Sequence, residues 1–148
     1  LYEWLQERAF RRIDAVVAVS APIVQRLTAA GVPSRRLHCR PNAFVPAATA
    51  LGRDEARARL GLPAGAFVVG WVGRLSHEKG PDLLPAIAAA LPGDAVLAVI
   101  GDGPMTEAVR AAAVARGAGD RLRLHGLRLD APALMAAFDA YTLTSRTE

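Results

Sequence analysis

Lysine is almost missing from this chain: of eighteen basic residues only Lys79 is a lysine, the rest being arginine. Cysteine is equally scarce. Cys39 has no second thiol to pair with, which excludes an intrachain disulfide; with no secretory signal pattern, we expect a reducing cytoplasm. Aromatic residues make up 5% of the chain, and no aromatic-interleaved basic stripe accompanies the net charge of +4, so nucleic acid is not an expected partner. No apolar run is long enough for a membrane-spanning helix. His38, His77 and His125 lack metal-ligand spacing and Cys39 completes no set, so neither a metal nor a cofactor is expected. A GxSxG nucleophile turn is also missing.

What is present suits a globular protein. Over 148 residues the chain is 52% hydrophobic and 22% charged, enough to bury a core. Both ends read as internal to a longer protein. The first residues already follow an amphipathic pattern without an initiator Met, and the last, "TSRTE", directly follow an apolar run.

Residues 1–13 suit a helix with Leu1, Leu5, Ala9 and Ile13 along one face. Its short basic cluster reads as a solvated face, although an anionic membrane surface is the other partner such a helix can take. Residues 15–19 form an apolar strand, and Ser20 opens a helix to about residue 30 with Pro22 in its first turn and Gly31 as its stop. After a strand over 37–40, "PNAFVPAATALG" (41–52) has the prolines and small residues of a linker. The second series predicts a helix over 53–60 and strands over 67–72, 95–100, 121–125 and 141–144. Between those strands, helices are predicted over about 81–91, 104–117 and 130–139. Near-continuous apolar strands alternating with helices imply an α/β fold with a parallel sheet covered on both faces. We divide the chain into 1–48, the end of one Rossmann-like domain with its linker, and 49–148, the first part of a second.

Ligands of such sheets sit beyond the carboxyl ends of the strands, where strand order reverses. With the usual order 3-2-1-4 for the second series, the loop after its first strand, "GRLSHEKG" (73–80), meets the loop after its fourth, "SRTE" (145–148). Arg74, Lys79 and Glu148 then converge. Gly73 and Gly80 allow tight turning, and Arg74 and Lys79 supply a planar fork and a point charge for phosphate oxygens. A helix start near Gly80-Pro81 would add N–H groups. In "GDGP", Gly101 and Gly103 permit close backbone approach and read as structural, packed beside the ligand more than touching it, and Asp102 reads as a turn or capping residue. Gly126, in the His125-Gly126 pair, lies where backbone groups would face a nucleotide base. A cationic loop of this kind can stabilise a departing nucleoside diphosphate without a metal.

Taken in order, "RRIDAVVAVSAPIVQRLTAAGVPSRRLHCRPN", "VVGWVGRLSHEKGPDLLPAIAAAL", "VIGDGP", "DRLRLHG" and "TSRTE" resemble the family 4 retaining glycosyltransferases of the two-Rossmann GT-B architecture. The resemblance covers nearly all of this chain and less than half of such an enzyme. It implies transfer of a sugar, as in a hexosyltransferase, from a nucleotide-sugar donor with retention of anomeric configuration. Arg74 and Lys79 would hold the donor diphosphate as it leaves. Glu148 would be the first of a pair of glutamates, touching the sugar hydroxyls. Gly73, Gly101, Gly103 and Gly126 complete the donor-binding set. Asn42-Ala43-Phe44 stands where the family often has Asn-Gly after the proline, a change in the crossing and not in the donor site. The acceptor, whether glycan, lipid-linked or small-molecule, is not specified, and peripheral contact with the inner face of the membrane is compatible with the family. The chain alone is not expected to catalyse transfer. The competing readings are a nucleotide-sugar epimerase and a non-catalytic nucleotide-binding or scaffold domain of the same fold.

Overall fold

A computed structural model describes residues 5, 8–10, 12–43 and 51–146. The chain forms two compact units, Leu1–Pro46 and Ala47–Glu148.

In the first unit, residues 8–10 are helical, within the helix expected over 1–13; most of the rest of that span lies outside the described residues. Strands β1 (Val16–Ala18) and β2 (Leu37–Cys39) pair in parallel, Val16 opposite Leu37, with helix α1 (Ala21–Ala29) between them. Val16, Leu27 and Val32 form its core, packed by Phe10, Ile23 and Leu37. Ser20 opens α1 through its backbone alone. Its carbonyl accepts from Val24 N–H at 3.2 Å, and its side chain makes no capping bond. Gly31 ends the helix at φ 84°, in the left-handed region where a residue without Cβ is favoured.

The second unit carries a four-stranded parallel sheet: β3 (Val68–Val72), β4 (Val96–Ile100), β5 (Leu122–Leu124) and β6 (Ala140–Tyr141). Its order is β5-β4-β3-β6, the 3-2-1-4 order expected of this series. Helices α2 (Arg53–Leu60), α3 (Leu84–Ala90), α4 (Thr106–Ala115) and α5 (Ala131–Leu134) cover it. Every residue of β4 is buried, and its side chains alternate between two cores. Leu97 and Val99 join Trp71, Leu84, Val109 and Ala113 on one face. Val96, Ala98 and Ile100 join Val68, Ala56, Leu60 and Leu134 on the other. Burial on both faces explains why these strands read as apolar runs without alternation. Pro85 falls in the first turn of α3, where no helical hydrogen bond is lost.

The last two elements are shorter than their sequence pattern. The strand expected over 141–144 pairs only at Ala140 and Tyr141; Thr144 turns instead to accept from the Trp71 indole and to donate to the Lys79 carbonyl. The helix expected over 130–139 stops at Leu134 and tightens into a 3-10 turn, Met135–Ala137. That turn sets Phe138 against β3, where a Cβ on Gly70 would overlap the Phe138 ring. It also delivers Asp139 to Arg57.

Arg57 is 1% exposed. Its Nε donates to the Ala137 carbonyl at 3.1 Å, NH1 to the carbonyls of Pro63 and Ala64, and NH2 to Asp139 Oδ2 at 2.7 Å. Asp139 also accepts from Val68 N–H at 2.7 Å and pairs with Arg53 at 2.5 Å. These donors, the Val68 amide first, hold its carboxyl below the usual carboxylate range. One buried cation thus joins α2, the entry to β3 and the entry to β6.

Candidate functional site

The site is built on the carboxyl ends of β3, β4 and β5, whose following loops are laced together by backbone groups. Gly73 N–H donates to the Ile100 carbonyl at 3.0 Å, and Gly101 N–H to the Gly126 carbonyl at 2.8 Å. One residue pair further out, Leu75 N–H reaches Asp102 O and Met105 N–H reaches Leu75 O, both at 3.0 Å. A Cβ on Gly101 would overlap the Gly73 carbonyl, and one on Gly103 would press on the Leu75 carbonyl. The expected glycines are therefore where backbone meets backbone. Leu75, fully buried, plugs loop 73–80 into the core and leaves Arg74 exposed beside it.

Asp102 behaves as a capping residue. Its Oδ1 accepts from Gly103 N–H and from the Thr106 hydroxyl, each at 2.7 Å, and these two bonds lower its pKa.

On the other side of β3 the neighbour is the loop after β6. Trp71 Nε1 donates to Thr144 Oγ1 at 3.0 Å, and that hydroxyl donates to the Lys79 carbonyl at 2.8 Å. Arg146 N–H donates to the Glu78 carbonyl at 2.9 Å. The Arg146 guanidinium reaches His77 O at 2.8 Å and grips Asp82 with two bonds, 2.9 and 2.6 Å. Lys79 closes the 3-10 turn His77–Lys79, and Gly80 follows at φ 60°, with Thr144 O so near that a Cβ would overlap it. Ser76 Oγ donates to Glu78 Oε1 at 2.6 Å, which lowers the Glu78 pKa.

The helix start foreseen near Gly80-Pro81 takes a different form. Pro81–Leu83 is a 3-10 turn, and α3 proper spans seven residues from Leu84. The carboxylate of Asp82 occupies that turn and holds Arg146, which depresses its pKa. The turn therefore carries an ion pair, Asp82 with Arg146, beside the N–H groups expected at the helix start.

A cavity of about 450 Å³ opens beside these loops, lined by Val72, Gly73, Arg74, Ile100, Gly101, Asp102, Leu127, Arg128 and Ala131. It brings Gly73, Arg74 and Gly101 together. Gly126 stands behind it through its bond to Gly101, and Gly103 through its packing on Leu75. Lys79 lies on the β6 side of the same loop, and Glu148 lies outside the described residues.

Arg128, Asp130, Arg146, Asp82 and Thr144 went unremarked in the sequence. Arg128 donates to Asp130 from Nε and NH2, both at 3.0 Å, and this pairing raises its pKa. Spacing of two residues was the one local signal for that pair. Asp82 and Arg146 stand 64 positions apart, and only the strand order unites them. The imidazole of His125, at the end of β5, has its Nε2 buried without a hydrogen-bond partner. Burial first, then Arg128 and Arg123, push its pKa down. Among the described residues, no three His, Cys, Asp or Glu side chains converge as metal ligands, and no helix is long and apolar enough to cross a membrane.

A doubly wound parallel sheet with a cationic loop and a cavity at its carboxyl edge defines an α/β protein of Rossmann-like type. Residues 52–148 match the family model "Glycosyl transferases group 1". The chain belongs to that family, and its fold is that of the GT-B glycosyltransferases. It is 46% identical over 97 residues to the 2-deoxystreptamine N-acetyl-D-glucosaminyltransferase of Streptomyces fradiae, covering 60% of this chain and 23% of that one. It is 32% identical over 141 residues to the lipopolysaccharide core biosynthesis glycosyltransferase LpsE of Rhizobium meliloti, covering 94% and 39%. Anabaena HepE in complex with UDP and glucose superposes with a TM-score of 0.79 at 26% identity, over 96% of this chain and 42% of that one. The chain thus spans less than half the length of these relatives.

Proposed function

We propose that the protein transfers a sugar from a nucleotide-sugar donor to an acceptor hydroxyl with retention at the anomeric carbon, as a family 4 enzyme. The observation that carries this reading is the loop 73–80, which holds Arg74 at a cavity and Lys79 against the neighbouring strand end. Both cations stand on backbone pinned to other loops, which keeps two positive charges near the place where charge would develop on a leaving diphosphate, where such charge contributes most. Arg74 grips phosphate oxygens through its fork, and Lys79 balances the charge that grows as the glycosidic bond breaks. No metal is assigned a part. Glu148 touches the sugar hydroxyls and orients the ring, so that acceptor and donor meet in a reactive alignment. The backbones of Gly73 and Gly101 form the floor on which the donor lies, with Gly103 and Gly126 supporting that floor from behind. Support for the donor class comes from the HepE complex with UDP and glucose and from a GDP-mannose-dependent alpha-mannosyltransferase of Mycobacterium tuberculosis, 35% identical over 104 residues. The acceptor is a glycan, a lipid-linked sugar or a small molecule. We assign the enzyme to the cytoplasm, peripheral to the inner face of the membrane where the acceptor is lipid-linked.

The test is a thermal-shift titration of the full-length protein with UDP-, GDP- and ADP-sugars, repeated with Lys79→Ala. Stabilisation by a donor that is lost in the variant supports the assignment, since a ligand at 100 times its Kd adds about 2.7 kcal/mol. An undiminished shift in the variant refutes the role of Lys79. No shift with any donor in the folded wild type favours the non-catalytic reading.

A further inference from the structure

Successive carbonyls at the end of loop 73–80 are held by the segment that follows β6. Arg146 takes His77 O with its guanidinium at 2.8 Å and Glu78 O with its backbone N–H at 2.9 Å, and the Thr144 hydroxyl takes Lys79 O at 2.8 Å. Of these bonds only the last acts on the lysine itself. Lys79 N–H donates to Ser76 O at 2.9 Å. With the Thr144 bond, both backbone polar groups of Lys79 are therefore committed, one within its own turn and one to the neighbouring strand end. Gly80 then turns left-handed with Thr144 O close against it. The point from which the Lys79 side chain starts is thus set from outside the loop.

Thr144 is oriented in its turn by Trp71. An indole N–H can only donate and a carbonyl can only accept, whereas a hydroxyl does both. The bond of 3.0 Å from Trp71 Nε1 therefore occupies a lone pair of Thr144 Oγ1 and leaves the hydroxyl hydrogen for Lys79 O, each bond polarising the next. Trp71 is itself fixed. It is 2% exposed, it belongs to the core that includes Leu75 and Leu84, and a Cβ on Gly73 would come to 3.0 Å from its ring. One indole thus lies against the first residue of the loop through its ring, and ties down Lys79 near the last through Thr144.

We propose that Thr144, oriented by Trp71, is a positioning residue that sets Lys79 for the donor diphosphate by holding the lysine's own carbonyl. This rests on the donor assignment made above and adds the side chains that keep its second cation in place. Removing the hydroxyl takes a partner from the Lys79 carbonyl and from the indole at once, and frees the peptide between Lys79 and Gly80 to rotate. A single bond of this kind corresponds to a loss of about three- to tenfold. Serine in place of Thr144 keeps the hydroxyl and with it the chain of bonds.

The test is calorimetric titration of the full-length protein with UDP, GDP and ADP, read on the nucleotide that the wild type binds best and at a temperature where circular dichroism shows each variant folded. Thr144→Val and Thr144→Ala remove the hydroxyl in two ways, Thr144→Ser restores it, and Trp71→Phe removes the indole N–H. Lys79→Ala is expected to weaken binding by about tenfold or more, and Thr144→Val and Thr144→Ala by about three- to tenfold. Thr144→Ser should stay within about twofold of wild type and Trp71→Phe should fall between. In the Lys79→Ala background, loss of the Thr144 hydroxyl should add less than about twofold, because the group it positions is gone. A merely structural hydroxyl would lower the Tm without changing affinity in the folded variants, or would add its loss in full to that of Lys79→Ala. Either result, or a loss in Thr144→Ser as large as in Thr144→Ala, overturns the proposal and leaves the diphosphate assignment standing. Wild-type affinity in Trp71→Phe overturns the part given to the indole. Failure of every nucleotide to bind the folded wild type, or undiminished binding in Lys79→Ala, overturns the donor assignment, and this proposal with it.

Discussion

Gly80 and Gly61 share one backbone conformation in two different surroundings, which allows the contact between the two site loops to be weighed. Gly61 sits at φ 59°, ψ 32° and Gly80 at φ 60°, ψ 39°. A Cβ on Gly61 meets nothing within 4 Å, whereas one on Gly80 runs into the Thr144 carbonyl. Replacement by Ala imposes the same left-handed strain at both, about 1–2 kcal/mol. At Gly80 the methyl must also push the loop after β6 away from loop 73–80, an overpacking cost of about 1–3 kcal/mol. Gly61→Ala is therefore expected to lower unfolding free energy by about 1–2 kcal/mol, and Gly80→Ala by about 2–5 kcal/mol. The assay is urea denaturation of the full-length protein followed by circular dichroism, with the slope m checked for constancy, so that a lower midpoint reports stability. The displaced carbonyl bonds at Glu78 and Lys79 would also move the lysine. Nucleotide affinity should then fall in Gly80→Ala and stay at the wild-type level in Gly61→Ala. Equal destabilisation by the two substitutions, with nucleotide affinity retained in both, would refute the close approach of the two loops and the convergence built on it.

The other expectations concern charge. Arg146→Ala removes the grip on Asp82 and the bond to His77 O and, on the proposed function, should lower sugar transfer by the full-length protein by up to about 100-fold through misplacement. Asp82→Ala, which leaves the His77 bond in place, should lose less, with the double variant no worse than Arg146→Ala, as steady-state kinetics would reveal; independent losses would break the linkage. Asp139→Ala leaves Arg57 buried without its carboxylate and should cost about 3–5 kcal/mol in denaturant unfolding. Because its folded pKa is depressed, Asp139 contributes fully above its unfolded value of about 3.9. That contribution is lost as pH falls through the lower folded value. Unfolding midpoints measured from pH 7 down to pH 2 should thus drop more steeply in wild type than in Asp139→Asn, and parallel profiles would contradict this.

Much of this arrangement is legible in the sequence, for identifiable reasons. The apolar run at 68–72 reads as a buried parallel strand because both its faces are covered, and the glycines that follow it read as turns because no side chain fits there. Strand order could be assumed from general α/β topology, and with it the meeting of loop 73–80 with the loop after β6. The partners of that meeting were not readable. Asp82 looks like an ordinary helix-start acid and Arg146 like one more arginine among many, and each acquires its role only once β6 lies beside β3. The helix over 130–139 misled because its alanines favour helix throughout, while the need to place Phe138 on Gly70 and Asp139 on Arg57 ends it early. Arg57 itself sits in a charged, solvent-like stretch, "RDEARARL", with nothing local to announce burial.

That burial bears on how the second unit comes into being. The guanidinium of Arg57 and its carboxylate are separated by 82 positions, so during synthesis the cation emerges long before its counterion. Until residue 139 has left the ribosome, closing α2 onto β3 would entomb an unmatched charge, a penalty of several kcal/mol. Helix α2 docks chiefly on α5 and the turn Met135–Ala137, which emerge only just before Asp139, so it is expected to stay undocked until then. Residue 139 is thus a gate for cotranslational folding, and nascent chains stalled before it should remain sensitive to protease where those stalled well after it resist.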